Sequence, residues 1–109
     1  MNDTPKDQEI KAIADKIVKG AAPSRIILFG SRAENKGNVN SDVDLCVIQD
    51  NIKDKSDEFI KIRRLLGDVI YPLDIIILNR DEYEKRKDIF GTVQYEIDKK
   101  GKVLYERRG

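Results

Sequence analysis

Histidine and tryptophan are absent from the 109-residue sequence, and Cys46 is its one cysteine. The absence of histidine excludes imidazole metal ligands and histidine general bases. A single cysteine cannot form an internal disulfide, which is typical of proteins from a reducing cytoplasm. We therefore expect a cytoplasmic protein in which Cys46 fills the core.

An excess of charge of either sign is also lacking. The 21 basic and 20 acidic side chains leave a formal net charge of +1, although 38% of the residues are charged. Domains that bind nucleic acid usually carry a clear basic excess, so we expect neither a nucleic-acid partner nor attraction to a membrane surface. No apolar run approaches the ~20 residues needed to span a bilayer, and the first residues lack the apolar segment of a signal peptide.

The length and the apolar spacing indicate one domain over residues 1–109. Helical and strand-like patterns follow one another in the order α-β-β-α-β-α-α-β. This order predicts an α/β (α+β) fold, in which a mixed sheet of about four strands has helices packed on it.

Capping signals predict where several helices begin and end. We expect Gly20 to end the first helix, Ser56 to cap the second and Gly67 to end it. Asn79 is predicted to cap a short charged helix. Asp88 and Gly101 are then expected to bound the last helix.

Apolar spacing also predicts which helical side chains are buried. The second helix has the apolar positions Phe59, Ile62, Leu66 and Val69, and the last has Ile89, Val93 and Ile97. Arg63 is interpreted as part of a solvated helix face. Pro72 cannot donate to a β-ladder, so it is expected at the start or on the edge of the strand over residues 70–78.

The region from residue 25 to residue 48 holds the first candidate functional residues. Residues 26–29 form an apolar run that predicts a short buried strand, and Gly30 and Ser31 end it abruptly. After a polar loop, Asp42 and Asp44 open a second predicted strand. Because side chains alternate along a strand, these two carboxylates should point the same way while Val43 faces the core.

Two adjacent carboxylates repel each other, and a bound cation relieves that repulsion. Hard oxygen ligands suit Mg²⁺, which usually binds one or two carboxylates together with substrate phosphates. Gly30 and Ser31 can supply the phosphate side, since a glycine backbone approaches an anion closely and a hydroxyl can donate to it. Arg32 is a further candidate phosphate contact.

Asp74 is a third candidate, because it is the one charge within the apolar run of residues 71–78. An ionised group in such a run is costly when buried unless it is paired or metal-bound. If this strand lies beside the strand of Asp44, the three carboxylates can hold two metal ions that clamp a phosphoryl or nucleotidyl transfer. The candidate metal ligands and catalytic residues are therefore Asp42, Asp44 and Asp74.

The combination of Gly30-Ser31, ten intervening residues, Asp42-Val43-Asp44 and a later Asp74 resembles the polymerase-β-type nucleotidyltransferase superfamily. More closely, it is similar to the minimal nucleotidyltransferases of bacteria and archaea, which are about this short. The resemblance implies an enzyme that moves AMP from ATP to a hydroxyl with two Mg²⁺ ions. Gly30, Ser31 and Arg32 would then bind the triphosphate.

The same resemblance implies an antitoxin that acts beside a HEPN-domain toxin and modifies a tyrosine of that toxin. Two alternatives stay open. The chain could neutralise its partner by binding alone, or it could adenylylate a small molecule, although such relatives carry an added helical domain that this chain has no length for. The acceptor pocket is therefore expected to be completed by another protein or a second subunit, in a hetero-oligomer or a homo-oligomer.

Overall fold

The computed structural model describes residues 7–30, 33, 43–69 and 72–108. Helices and strands follow one another along these residues in the predicted order. They are α1 (Asp7–Ala21), β1 (Arg25–Phe29), β2 (Val43–Gln49), α2 (Lys55–Leu66), β3 (Leu73–Asn79), α3 (Arg80–Arg86), α4 (Val93–Lys100) and β4 (Lys102–Glu106). In this part of the chain, no helix is long and apolar enough to cross a membrane.

The strands form one sheet in the order β3-β2-β1-β4. β1 pairs with β2 and with β4 in antiparallel fashion, whereas β2 and β3 are parallel. The parallel pair requires a crossover, and α2 provides it. The expected fold, a mixed sheet of four strands with helices packed on it, is confirmed.

Both faces of the central strand β2 are covered. Val43, Leu45 and Val47 are buried with the apolar side chains of α1 and α2 in the larger core cluster. Cys46 and Ile48 project from the opposite face into a second cluster with α3 and α4. Cys46 is fully buried, as expected.

The prediction that Gly20 ends α1 is wrong, because α1 continues through Gly20 to Ala21. The chain turns instead at Ala22, whose φ of 47° lies in the left-handed region. Gly20 has a packing role, since a Cβ at this position would overlap the side chain of Leu65 in α2. The missing side chain therefore lets two helices approach closely.

Two predicted helix starts are also displaced. Asp54, and not Ser56, caps α2, because its side chain accepts the backbone N–H groups of Ser56 at 2.8 Å and Asp57 at 3.2 Å. Thr92, and not Asp88, caps α4, where its hydroxyl accepts the N–H of Tyr95 at 3.0 Å. The helix start moves in each case to the side chain whose oxygen reaches the free N–H groups.

The later start of α4 changes which of its side chains are buried. Ile89 and Val93 are exposed, whereas Ile97 is buried as predicted. In α2, Ile62 and Leu66 are buried, but Phe59 is 38% exposed, so its predicted burial is wrong. The predicted cap at Asn79 and the predicted ends at Gly67 and Gly101 are confirmed.

Candidate functional site

Asp44 and Asp74 lie side by side on neighbouring strands. They are direct partners in the parallel register of β2 and β3. Partners in a ladder are about 4.8 Å apart at their Cα atoms and project their side chains from the same face. The sheet topology therefore brings together two of the three candidate carboxylates, although they are thirty positions apart in the sequence.

Gly30 lies at the same end of the sheet. It directly follows Phe29, which pairs with Asp44 across the antiparallel β1–β2 ladder. Its φ of +77° lies in the left-handed region, which glycine adopts without a steric penalty. A Cβ here would overlap Oδ2 of Asp44, so the glycine backbone closely approaches this carboxylate. The position thus needs glycine both for its conformation and for space.

Solvent exposure distinguishes the two carboxylates. Asp44 is half-buried, whereas Asp74 is exposed. Asp74 lies in an apolar run because Leu73 and Ile75, on either side of it, point into the core. The expected burial cost of its charge is therefore absent, and the case for Asp74 depends on its position beside Asp44.

Ser31, Arg32 and Asp42 lie outside the described residues, so their roles stay predictions. The chain returns to the described part at Ala33, whose N–H donates to the carbonyl of Gly30 at 3.1 Å. Among the residues that the structure describes, no three His, Cys, Asp or Glu side chains are grouped closely enough to hold a metal ion. A three-carboxylate site depends on Asp42.

The start of β3 is secured by a contact that the sequence analysis missed. Arg63 of α2 donates from Nη2 to the carbonyl of Leu73 at 2.6 Å, immediately before Asp74. Its guanidinium also lies 5.5 Å from the ring centroid of Phe59. Arg63 was interpreted as part of a solvated face, and that interpretation is wrong, because its side chain crosses to the neighbouring strand. No spacing rule in the sequence links residue 63 to residue 73.

Cys46, the one cysteine of the chain, is buried close to the candidate site. Cys46 follows Asp44 by two residues and projects from the same face of β2, into the second core cluster. Burial raises the pKa of this thiol to about 12. Because the thiolate is the nucleophilic form, Cys46 does not supply a nucleophile at neutral pH. Carboxylates are the chemically useful groups that the described residues place at this end of the sheet.

Tyr83 is likewise held in the core. Burial is the main cause that raises the pKa of its hydroxyl, and the carboxylate of Asp98 adds to the effect. The hydroxyl donates to Asp98 at 2.6 Å. This bond ties α3 to α4.

Comparison with known proteins points to one family. The family model described as "Polymerase beta, Nucleotidyltransferase" matches residues 8–108. The fold also matches the 1.40 Å crystal structure of a Sulfolobus solfataricus protein that is provisionally described as a nucleotidyltransferase. The TM-score is 0.67, with 19% identity, over 92% of this chain and 79% of that one. At this identity the likeness concerns the fold alone, and no protein of curated function matches the sequence.

Proposed function

We propose, since the chain belongs to the polymerase-β nucleotidyltransferase family, that it transfers AMP from ATP to a hydroxyl of a partner protein. The observation that carries the proposal is the in-register pair Asp44 and Asp74 beside Gly30. A family member that binds a nucleoside triphosphate needs carboxylates next to a backbone that can approach phosphate. The position of these three residues at one end of the sheet supports the proposal.

The donor set fits Mg²⁺. Asp44 and Asp74 project from one face of adjacent strands, and carboxylate oxygens are the ligands that this ion prefers. We assign them as its ligands, with Asp42 as the third, in keeping with a site for two ions. Bound there, Mg²⁺ would neutralise charge on the triphosphate and on the leaving pyrophosphate.

The protein's own groups would orient the reactants. The left-handed backbone of Gly30, which has no side chain, closely approaches the Asp44 carboxylate, and a glycine backbone can also approach an anion closely. Ser31 and Arg32 follow it directly in the sequence, and we assign them to the triphosphate. The acceptor oxygen would form a bond to the α-phosphorus of ATP while the bond to pyrophosphate breaks, and the acceptor proton would pass to the Asp74 carboxylate.

The exposure of Asp74 supports an acceptor that comes from outside the chain. A hydroxyl carried by another protein can approach an exposed carboxylate without any rearrangement of the core. The sequence resemblance suggests a tyrosine of a HEPN-domain toxin as this acceptor. The protein would then act as an antitoxin, because the added phosphate brings charge and bulk to the tyrosine.

The test is to incubate the protein with a HEPN-domain toxin and Mg-ATP, and to weigh the toxin by intact-protein mass spectrometry. We expect one or more AMP increments with the wild type and none with Asp74→Asn. Asp81→Asn is the matched control, because Asp81 is an exposed acid of α3, beyond the opposite end of β3. It should transfer AMP at the wild-type rate.

A different result would favour the binding-only alternative. If the toxin is silenced without any change of mass, and Asp74→Asn silences it as well as the wild type does, the transfer proposal is wrong. Transfer that survives Asp74→Asn unchanged would remove Asp74 from the site.

A further inference from the structure

Asp74 lies near the open end of an edge strand. Within the described part of the chain, β2 is the one strand that pairs with β3. Asp74 is the second residue of β3. The ends of edge strands open most easily, because fewer neighbouring groups hold them. A metal ligand at this position therefore needs further support if its carboxylate is to keep one geometry.

Two hydrogen bonds hold the backbone just before Asp74 in opposite directions. The carbonyl of Pro72 accepts the N–H of Val43 at 3.1 Å, so this carbonyl is directed toward β2. Because the direction alternates along a strand, the carbonyl of Leu73 is directed outward and the N–H of Asp74 inward. Arg63 donates from Nη2 to that outward carbonyl at 2.6 Å.

The bond from Arg63 holds a whole peptide plane. The carbonyl of Leu73 and the N–H of Asp74 belong to one planar peptide group. The donor on its outer side and the ladder with β2 on its inner side therefore oppose rotation of this plane. The orientation of the plane determines where the carboxylate of Asp74 lies relative to that of its ladder partner, Asp44.

Arg63 is itself held in place. Ile62 and Leu66 of the same helix are buried in the larger core cluster, so the backbone of α2 is fixed against the sheet. The guanidinium of Arg63 lies 5.5 Å from the ring centroid of Phe59, one turn earlier in the helix. A planar guanidinium also loses less conformational freedom for each hydrogen bond than a lysine ammonium does. The side chain is therefore a stable support for the strand.

We propose that Arg63 is a positioning residue, which acts through the Leu73 carbonyl to keep the carboxylate of Asp74 in place beside that of Asp44. This role rests on the proposed function, in which both carboxylates bind Mg²⁺ and Asp74 receives the acceptor proton. Mg²⁺ demands near-ideal octahedral geometry, and a misplacement of about 1 Å can cost about 10²-fold in rate. Arg63 would thus affect metal binding and the transfer step more than the binding of ATP.

The first test measures this support without any activity. Arg63→Met removes the donor and keeps an apolar stem beside Phe59. We expect the amide of Asp74 to exchange with solvent about five- to tenfold faster in this variant, by NMR, because loss of a hydrogen bond makes local opening easier. Arg64→Met is the matched control, since Arg64 is the next residue of α2 and is exposed. It should leave this exchange rate unchanged.

The second test separates positioning from general stability. With the toxin as acceptor, Arg63→Met should lower kcat about ten- to hundredfold, while KM for ATP changes less than about threefold. Arg63→Lys should recover part of kcat, because an ammonium can still donate to the Leu73 carbonyl. Tyr83→Phe is the stability control, since it removes the hydrogen bond to Asp98 between α3 and α4. It should keep the wild-type kcat.

The outcomes distinguish this inference from the proposed function. Unchanged exchange at Asp74, or equal values of kcat for Arg63→Met and Arg64→Met, would overturn the positioning role. So would an equal loss of kcat in Tyr83→Phe, because the effect would then reflect stability alone. A wild type that transfers no AMP would contradict the proposed function. Calorimetric titration with Mg²⁺ alone would then decide: a dissociation constant raised about tenfold by Arg63→Met supports the positioning role, and an unchanged one overturns it.

Discussion

Gly30→Ala tests the close approach between the end of β1 and Asp44. The substitution forces alanine into a φ of +77° and places its Cβ on Oδ2 of Asp44. A left-handed conformation costs a non-glycine residue about 1–2 kcal/mol, and relief of such an overlap in a packed region costs about 1–3 kcal/mol. The structure therefore predicts a total loss in unfolding free energy of about 2–5 kcal/mol.

Gly67→Ala separates the two contributions. Gly67 also has a positive φ, of +65°, but no atom lies within 4 Å of a Cβ built there. With a ψ of −145°, Gly67 lies in a region that is essentially confined to glycine, so its substitution should show a conformational cost alone, of about 1–3 kcal/mol. Urea denaturation measures the loss in unfolding free energy of both variants.

A double variant extends the test. Asp44→Ala removes the carboxylate that the new Cβ would meet, so Gly30→Ala should cost less in that background than in the wild type. If the two substitutions at the site are additive, the reasoning about this approach is refuted. AMP transfer by Gly30→Ala, measured at a temperature where the variant is folded, should also fall, because the Cβ would displace the Asp44 carboxylate that we assign to Mg²⁺.

Three further predictions concern the support of the fold. Arg63→Met should lower the unfolding free energy by about 1–2 kcal/mol in urea denaturation, because it removes the donor to the Leu73 carbonyl; a wild-type midpoint would show that the bond has no net value. Cys46 should resist a thiol reagent at pH 8 in the native protein and react after denaturation, since burial raises its pKa to about 12; rapid native labelling would contradict its burial. The hydrogen bond from Arg107 is the largest cause that lowers the pKa of Asp50 below its usual 3.8, so its stabilisation is present above pH 3.8 and is lost as the pH falls through the lower native pKa. Asp50→Asn should therefore make the melting temperature fall less steeply as the pH is lowered. An unchanged pH dependence would exclude the pair of Asp50 and Arg107 as the cause of that fall.

Much of the fold could be predicted because its signals are local. The strand of residues 26–29 and the stop at Gly30 are visible in a few neighbouring residues, as are the cap at Asn79 and the helix end at Gly101. The errors occurred where two signals competed within a few positions. Asp54 replaced Ser56, and Thr92 replaced Asp88, because a cap is decided by which oxygen reaches the free N–H groups.

The candidate site was predictable only in part, for a related reason. Because side chains alternate along a strand, the sequence predicted that Val43 points into the core and that Asp44 points the other way. Val43 does lie in the core. Asp44 and Asp74 can lie close together only if β2 and β3 are adjacent, and the sequence does not show that adjacency. The parallel register supplies that adjacency.

The sequence by itself determined the chemical groups available: carboxylates at residues 42, 44 and 74, a glycine at the end of β1, and no histidine. Tertiary structure alone decided that Asp74 is exposed, that Arg63 holds the carbonyl of Leu73, and that Gly20 accommodates Leu65. The physical reason is the range of the interactions. Helix and strand signals act between residues a few positions apart, whereas exposure and packing contacts depend on strand order and on the approach of segments that are distant in the chain.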